Sequence, residues 1–427
     1  MNSLPNGWAE TDFGKIYELN YGKALPEQSR DGTGIFPVYG SSGVVGYHSS
    51  FLTEGPVLIV GRKGAAGAVS YSRENCWPID TTYFVRAPIG IDLQFAFSHL
   101  QALHLDHLEK STAIPGLSRD DAYALRIWVP PTEEQSRIVA KIEELFSELD
   151  KAVESLTAAQ QQLAAYRQSL LKHAFEGTLN DSLAPGVLPA KLVRLGEVIE
   201  YLTSGSRGWA DYYSDAGEIF IRAQNLKHDQ LDLGDIAFVR LPQGLTEGIR
   251  TRIRRGDVLI TITGANVTKT GLVDKDLGTA YISQHVALCR TSASLLPAYL
   301  YWYLLSESGG RKQLTKAAYG AGKPGLNLDN IRNIVIPLPS VEQQASIASW
   351  IAEGIDAERN IAKTVAEQLS RISALRFSIF RQAFSGRLVA QDSNDGPASV
   401  LLERIRTERE ANAVKPKKAT KPKGEAA

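Results

Sequence analysis

Residues 133–179 read EEQSRIVAKIEELFSELDKAVESLTAAQQQLAAYRQSLLKHAFEGTL, and a diverged copy of the same stretch stands at 342–388. One ungapped register, a shift of 209 from 133 to 342, carries Glu133 onto Glu342, Gln135 onto Gln344, Ile138 onto Ile347, Ile142 onto Ile351, Arg167 onto Arg376 and Ala174-Phe175 onto Ala383-Phe384. Upstream it lays Pro115-Gly116-Leu117 on Pro324-Gly325-Leu326 and Pro130 on Pro339; downstream it lays Gly177 and Leu179 on Gly386 and Leu388. A period this long is not that of a solenoid repeat, so the chain carries a duplicated module.

The first copy also holds a heptad. Ile142, Leu149, Leu156, Leu163 and Leu170 recur every seventh residue, and Leu145, Ala152, Ala159, Tyr166 and His173 follow them at three. That spacing predicts a long helix with a narrow apolar seam that needs a partner helix. The second copy keeps the seam at Ile347, Ile351, Ile361, Val365, Ile372, Leu375 and Ile379, interrupted by Gly354, Glu358 and Gln368, which predicts locally looser pairing. Each helix can bury its seam against the other. Thr132 with Gln135 three residues on fits a capping box.

Outward from the helices, residues 1–131 alternate short apolar runs with glycine and serine. Strands are expected at 34–39, 44–47, 56–60, 68–71 and 83–85, with a short helix at 12–18 and a longer one at 93–108. Residues 188–338 repeat the plan, with a short helix at 192–202, strands at 219–222, 257–263, 272–274 and 286–290, and a helix at 297–305. In both, a Gly-x-Val-Leu-Ile run starting at Gly55 or Gly256 precedes a glycine-containing loop. The expected division is a globular module at 1–131, a helical region with a linker at 132–187, a second module at 188–338, a second helical region at 339–390, and a C-terminal helix with a basic, disordered tail at 391–427. The fold class is mixed α/β (α+β) modules alternating with two long helices paired as an antiparallel coiled coil.

Net charge is zero over 427 residues, with 47 basic and 47 acidic side chains. The balance is uneven: basic against acidic counts are 10 to 13 over residues 1–131 and 18 to 14 over 188–338. Neutrality weakens non-specific DNA affinity without excluding specific contact by one face. Two cysteines, Cys76 and Cys289, do not make a disulfide framework and suit a reducing cytoplasm; no apolar run is long enough to span a membrane. Catalytic motifs are wanting. The Gly320-Ala321-Gly322-Lys323 stretch lacks the first glycine and the Ser/Thr of a phosphate loop, and no Gly-x-Gly-x-x-Gly after a strand, Gly-x-Ser-x-Gly elbow or adenine-methyltransferase motif occurs. His48, His285 and the group His99, His104 and His107 lack the spaced partners of a metal site, and helical surface positions explain the group.

The Gly61-Arg62-Lys63-Gly64-Ala65-Ala66-Gly67 loop sets two cations among glycines, where backbone amides can approach a phosphate, or it is a hairpin with solvated charges. In the matching place, the loop after Ile262 carries Asn266, able to pair bidentately with adenine, and Lys269. Arg250, Arg252, Arg254 and Arg255 alternate along an apparent strand, as a phosphate track or as a charged edge. The loops holding Ser41, Ser42 and Arg207, together with His48, Arg222, Asn225 and Lys323, complete the candidate DNA contacts. Ile142, Leu149, Leu156, Leu163, Leu170, Ile351, Val365, Ile372 and Ile379 are the candidate pairing and docking positions.

Two diverged modules, each followed by Pro-Gly-Leu, a strand, a proline stop, Glu-x-Gln and a helix ending in Phe-x-Gly-x-Leu, resemble the DNA-specificity subunit of type I restriction-modification enzymes over roughly residues 5–390. The stretch from Val38 to His48, the Gly-Arg-Lys-Gly loop and Trp77-Pro78-Ile79-Asp80-Thr81 are similar to one class of its target recognition domains. The resemblance implies a non-catalytic subunit without a cofactor of its own. It implies that each recognition domain reads one half of a split site on double-stranded DNA. The helices then dock two methyltransferase subunits, which bring S-adenosylmethionine, and restriction/translocase subunits, which use ATP and magnesium. Some forty residues at 1.5 Å each make a helix of about 60 Å, long enough to separate the modules by more than one ~34 Å DNA turn. A coiled-coil adaptor whose modules bind proteins is the alternative.

Overall fold

The computed structural model describes residues 4–31, 34–108, 116–176, 190–242, 246–319 and 324–414. Pro115, the linker with Gly177 and Leu179, Lys323 with its loop, and the tail after 414 lie outside them. Two compact units divide the chain, the first comprising Met1–Leu156 with Glu367–Ala427 and the second Thr157–Ala366.

In the first unit the strands are β1 (Ala9–Asp12), β2 (Asn20–Tyr21), β3 (Phe36–Gly40), β4 (Gly43–His48), β5 (Val57–Gly61), β6 (Val69–Ser72), β7 (Trp77–Pro78), β8 (Thr82–Val85) and β9 (Arg126–Val129). They form sheets in the orders β2-β8-β5-β6 and β4-β3-β7, and β1 pairs with β9. Val57 to Val60 is apolar without alternation because every residue of β5 is buried, so both faces of the strand are covered. The second unit has β10 (Lys191–Arg194), β11 (Ile199–Ser204), β12 (Tyr213–Ser214), β13 (Glu218–Ile221), β14 (Ala237–Val239), β15 (Val258–Thr261), β16 (Thr270–Leu272), β17 (Ala280–Ile282), β18 (Val286–Thr291) and β19 (Val335–Leu338). Its orders β11-β18-β15-β16 and β12-β14-β13-β17, with β10 on β19, repeat the first unit with one added edge strand, β12, down to the parallel pair β13–β17 that matches β3–β7. Apart from that strand, the modules are duplicates in topology.

Three local expectations fail. Residues 192–202 are not a helix: β10 and β11 flank a single 3-10 turn at Leu195–Glu197, because pairing with β19, distant in sequence, overrides local preference. The 93–108 helix stops at Ala102, where Leu103 caps it and His104 turns to φ 46°, and a 3-10 turn at Leu105–Leu108 follows. The opening helix is only Phe13–Ile16.

The long helices run Thr132–Phe175 and Val341–Ala383. Within each unit, one half of the first packs antiparallel on the opposite half of the second. In the first unit Phe146 meets Phe380, and Asp150 meets Arg376. In the second, Leu170, Leu171 and Ala174 close on Ile351 and Ile355, and Arg167 meets Glu358 at 2.5 Å. Ile142, Leu170, Ile351, Val365 and Ile372 are buried in the seam; Leu149, Leu156, Leu163 and Ile379 are half-buried. Ile361, Leu375, Tyr166 and His173 point outward instead, contrary to the heptad. The interruptions are not loose. A Cβ on Gly354 would stand 2.8 Å from a Leu170 methyl, so glycine is what lets Leu170 pack there, and Glu358 is 7% exposed because Arg167 neutralises it.

The repeated residues fasten helices to modules. Gln135 does not form the expected capping box: its Oε1 accepts from the Asp92 amide at 3.4 Å and its Nε2 donates to the Pro130 carbonyl at 3.3 Å. Gln344 likewise accepts from the Leu296 amide at 2.8 Å and donates to the Pro339 and Ser294 carbonyls, both at 2.9 Å. Phe384 rests on Phe95 and His99, with ring centroids 5.6 and 4.7 Å away, and Phe175 rests on Tyr299 and Tyr303 at 5.3 and 5.1 Å. Hence the helix Leu93–Ala102 receives the start of the first long helix and the end of the second, and Pro297–Leu305 receives the reverse. Gly386 follows the second helix at φ 68° with Pro5 against it, so a Cβ there would lie 2.5 Å from the proline ring. A further helix, Ala398–Val414, buries Ala398, Leu401 and Ile405 and sends Arg409 to the Gly14 and Ile16 carbonyls at 2.7 Å each.

Candidate nucleic-acid interface

Equivalent loops gather at the same place in both units. In the first, the segment after β7 supplies the Thr81 carbonyl, which accepts from the Arg62 and Lys63 amides at 2.8 and 3.1 Å, and the Leu117 amide bonds the Arg62 carbonyl at 2.9 Å. In the second, the Ile262 amide bonds the His285 carbonyl at 2.9 Å and the Leu326 amide bonds the Ile262 carbonyl at 2.8 Å. Isolated bridges Lys63–Gly116 and Thr263–Gly325 complete the match. A Cβ on Gly22 would strike the Ile79 carbonyl at 2.1 Å, and one on Gly205 the Ser283 carbonyl at 2.3 Å. Ile79 to Thr81 therefore corresponds to Ser283 to His285, and the repeated Gly-Leu pair, Gly116-Leu117 and Gly325-Leu326, is the backbone clasp of this site.

The glycine loop of the first unit is closed rather than cradling. Arg62, Lys63, Ala66 and Gly67 amides all bond carbonyls of the same unit, and Gly61 leaves only 2.0 Å between a would-be Cβ and the Ala65 carbonyl oxygen. What the loop offers outward is side chains. Lys63 is exposed. Arg62 donates from Nε and Nη2 to the Asp80 carbonyl at 3.0 and 2.6 Å while its guanidinium lies 5.4 Å from the ring of exposed Tyr21. Arg119 sits over the same ring at 5.2 Å. Two guanidiniums on one exposed aromatic, with an exposed lysine beside them, is a surface suited to phosphates and base faces. Ser41 abuts Gly61 and Gly64 of this loop, and exposed Ser42 is next to it. His48 is elsewhere, held 3.5 Å from Asp31 and edge-on to Trp77.

The second unit has a cleft of about 360 Å³ lined by Arg207, Trp209, Tyr213, Arg222, Gln284 and His285 among others. Its apolar wall is Trp209 stacked on Phe220 at 4.8 Å. Thr263 Oγ1 lies 2.5 Å from His285 Nδ1, and Gln284 Nε2 lies 3.1 Å from His285 Nε2. Arg222 Nε and Ser283 Oγ line the cleft buried and without a hydrogen-bond partner among the described residues. Such orphaned polar atoms are costly unless a ligand or water meets them. Arg250 braces one rim through Thr203, the Ser204 carbonyl at 2.8 Å and Ser206 at 2.5 Å.

Several predicted contacts are already engaged within the fold. Asn225 is 2% exposed: its Oδ1 accepts the Arg222 amide and its Nδ2 donates to the Asp232 and Asp235 carbonyls. Asn266 donates to the Ala223 carbonyl at 3.3 Å, and Lys269 pairs with Asp229 at 2.8 Å, where Arg311 also binds. The arginine run is not a strand: Arg250 ends the helix Thr246–Arg250, and Arg252 and Arg254 then face outward between buried Thr251 and Ile253. Arg255 donates to the Asp274 carbonyl at 3.0 Å. Tyr21, Arg119, Trp209 and Gln284 line these surfaces although sequence patterns did not single them out, and His285 drew notice only as a metal ligand. The histidine group also parts: His99 is buried against Tyr17 at 3.1 Å, and burial pushes its pKa down to about 3.

A family model described as "Type I restriction modification DNA specificity domain" matches residues 5–157 and 190–370. The chain is similar to the EcoKI specificity subunit of Escherichia coli K12, at 25% identity over 76% of this chain and 73% of that one. It shares its fold with a chain from a solved structure of type I restriction-modification complex assembly, at TM-score 0.71 and 20% identity over 91% of this chain and all of that one. The HsdS subunit of Thermoanaerobacter tengcongensis gives TM-score 0.53 at 20% identity, over 90% and 98% of the two chains. With two recognition modules on one duplicated frame and a family match over most of its length, the chain belongs to the type I restriction-modification DNA-specificity family.

Proposed function

We propose that this chain is the non-catalytic subunit that selects the DNA sequence for a type I restriction-modification assembly, each unit reading one half of a bipartite, asymmetric site. The observation that carries this reading is one clasp of loops, built twice, presenting different side chains: Tyr21, Arg62, Lys63 and Arg119 in one unit, Arg207, Arg222, Gln284 and His285 in the other. A conserved frame with divergent contacts suits two unlike half-sites. Phosphate contact would fall to Lys63, Arg252 and Arg254, which are exposed, and base contact to Arg207, Gln284 and His285. The modules span 1–131 and 188–338, and the long helices dock two methyltransferase subunits bringing S-adenosylmethionine and restriction subunits using ATP and magnesium, in the cytoplasm. The acidic balance of the first module makes tight DNA binding depend on those partners. The test is co-expression with the cognate methyltransferase subunit followed by mapping of modified adenines. A split motif with two different halves supports the proposal; methylation without such a motif, or an assembled complex whose DNA binding has no steep salt dependence, overturns it.

A further inference from the structure

The turn after the helix Leu93–Ala102 reads His104-Leu105-Asp106-His107. Its three polar side chains turn the same way. One ligand atom from each, an imidazole nitrogen of His104 and of His107 and a carboxylate oxygen of Asp106, lie within 4.8 Å of one another. His104 Nδ1 stands 3.9 Å from Asp106 Oδ1, and His107 Nε2 stands 3.8 Å from Asp106 Oδ2. The two imidazoles are nearly parallel, 5.3 Å apart at 19°. The elements around the turn fix it. Leu105 is 1% exposed in the core, and Gly67 lies so close to Asp106 that a Cβ would meet its amide nitrogen at 2.2 Å. His104 adopts φ 46° and packs its ring on Phe377 at 4.9 Å. Asp106, between the two histidines, supplies the acidic partner that their spacing in sequence does not suggest.

From this arrangement we propose that His104, Asp106 and His107 form a site for a borderline divalent transition-metal ion of the zinc, nickel, cobalt and copper class. Two imidazoles and one carboxylate are the donor set such ions take, whereas magnesium and calcium prefer all-oxygen shells. Ligands around a tetrahedral ion at about 2.0–2.1 Å stand about 3.3 Å apart, so the side chains close in on binding and at least one imidazole turns out of the parallel stack to aim its nitrogen at the ion. The solvent side leaves room for water to complete the shell, since Asp106 and His107 are exposed. The ion ties the turn that backs Gly67, the last residue of the Gly61–Gly67 loop.

The test uses the full chain without a histidine tag, titrated with cobalt chloride and read by its visible absorption, and with zinc chloride read by calorimetry. One saturable equivalent is expected. His107→Ala and Asp106→Asn, both at exposed side chains, should each weaken it by more than about tenfold while leaving metal-free thermal unfolding unchanged. His173→Ala, elsewhere on the surface, is the control and should bind as the parent does. Equal affinity and stoichiometry in the parent and both site variants would overturn the proposal, as would the absence of a saturable equivalent in the parent.

Discussion

His99 sits between Tyr17 and Phe384, 2% exposed, and burial lowers its pKa to about 3. An unfolded histidine titrates near 6.5, so above that pH the folded and unfolded chains both hold it neutral and it costs nothing. As pH falls from about 6.5 toward 3 only the unfolded chain takes up the proton, and stability declines by about 1.4 kcal/mol per pH unit from this group. His99→Gln, which keeps a polar partner for Tyr17 and cannot titrate, should therefore lose about 2 kcal/mol less than the parent between pH 7 and 5 in denaturant unfolding. Parallel pH profiles for the two proteins would dismiss the buried neutral imidazole. The sequence offered no sign of it, since the burial depends on Phe384, which joins His99 only through the fold. Asn225 was misread for the same reason: its carbonyl partners at 232 and 235 follow a turn that local pattern does not specify. Gly386, after the second long helix, holds the left-handed backbone at φ 68°. Gly386→Ala should cost at least about 1–2 kcal/mol from that conformation alone, with the Pro5 contact adding to it, and a melting temperature unchanged from the parent would refute this.

Among the elements, the long helices were legible because both copies must satisfy the same contacts. Gln135 and Gln344, Phe175 and Phe384, and Arg167 and Arg376 recur at one spacing since each fastens a helix to a module or to its partner helix. What could not be read was the fit of the interruptions: Gly354 and Glu358 look like defects until Leu170 and Arg167 are placed opposite them. Gln344→Ala strands the Leu296 amide and two carbonyls and should destabilise the second unit by about 2 kcal/mol. Gln344→Glu keeps the acceptor but sets a carboxylate against the Pro339 and Ser294 carbonyls, so it should be at least as harmful. A glutamate variant as stable as the parent would show that the amide donor contributes nothing. Arg167→Ala leaves the buried carboxylate of Glu358 without its partner; because the arginine itself is 40% exposed, the loss should be nearer about 1–2 kcal/mol than the value for a fully buried pair. Replacing both, Arg167→Met with Glu358→Leu, should recover most of it, and a double variant as unstable as the single one would contradict the unpaired-charge account.

For the molecule as a whole, duplication separates what is held constant from what varies. The sheets, save the added strand β12, the Gly-Leu clasp and the helix fastenings repeat, while the outward side chains of the clasp do not. Fold class was therefore readable from the repeat and the loop cations Arg62, Lys63 and Arg207 from their glycine-rich surroundings, whereas Tyr21, Arg119 and Gln284 were not readable, because side chains that diverge between copies leave no register to find them by. On the proposed function, contacts in one unit report on one half-site only. Lys63 is exposed and its loop closes through backbone bonds, so Lys63→Ala should leave the fold intact, lower DNA affinity of the assembled complex and flatten its salt dependence by about one phosphate contact, without changing the motif. Gln284 lines the cleft of the second unit beside His285, so Gln284→Ala should relax the bases accepted at one half-site and leave the other as it was. Paired with Arg119→Ala in the first unit, the two changes should act at opposite halves and add. Methylation maps of the single and double variants measure this directly, and both singles relaxing the same half would show that the units do not divide the site between them.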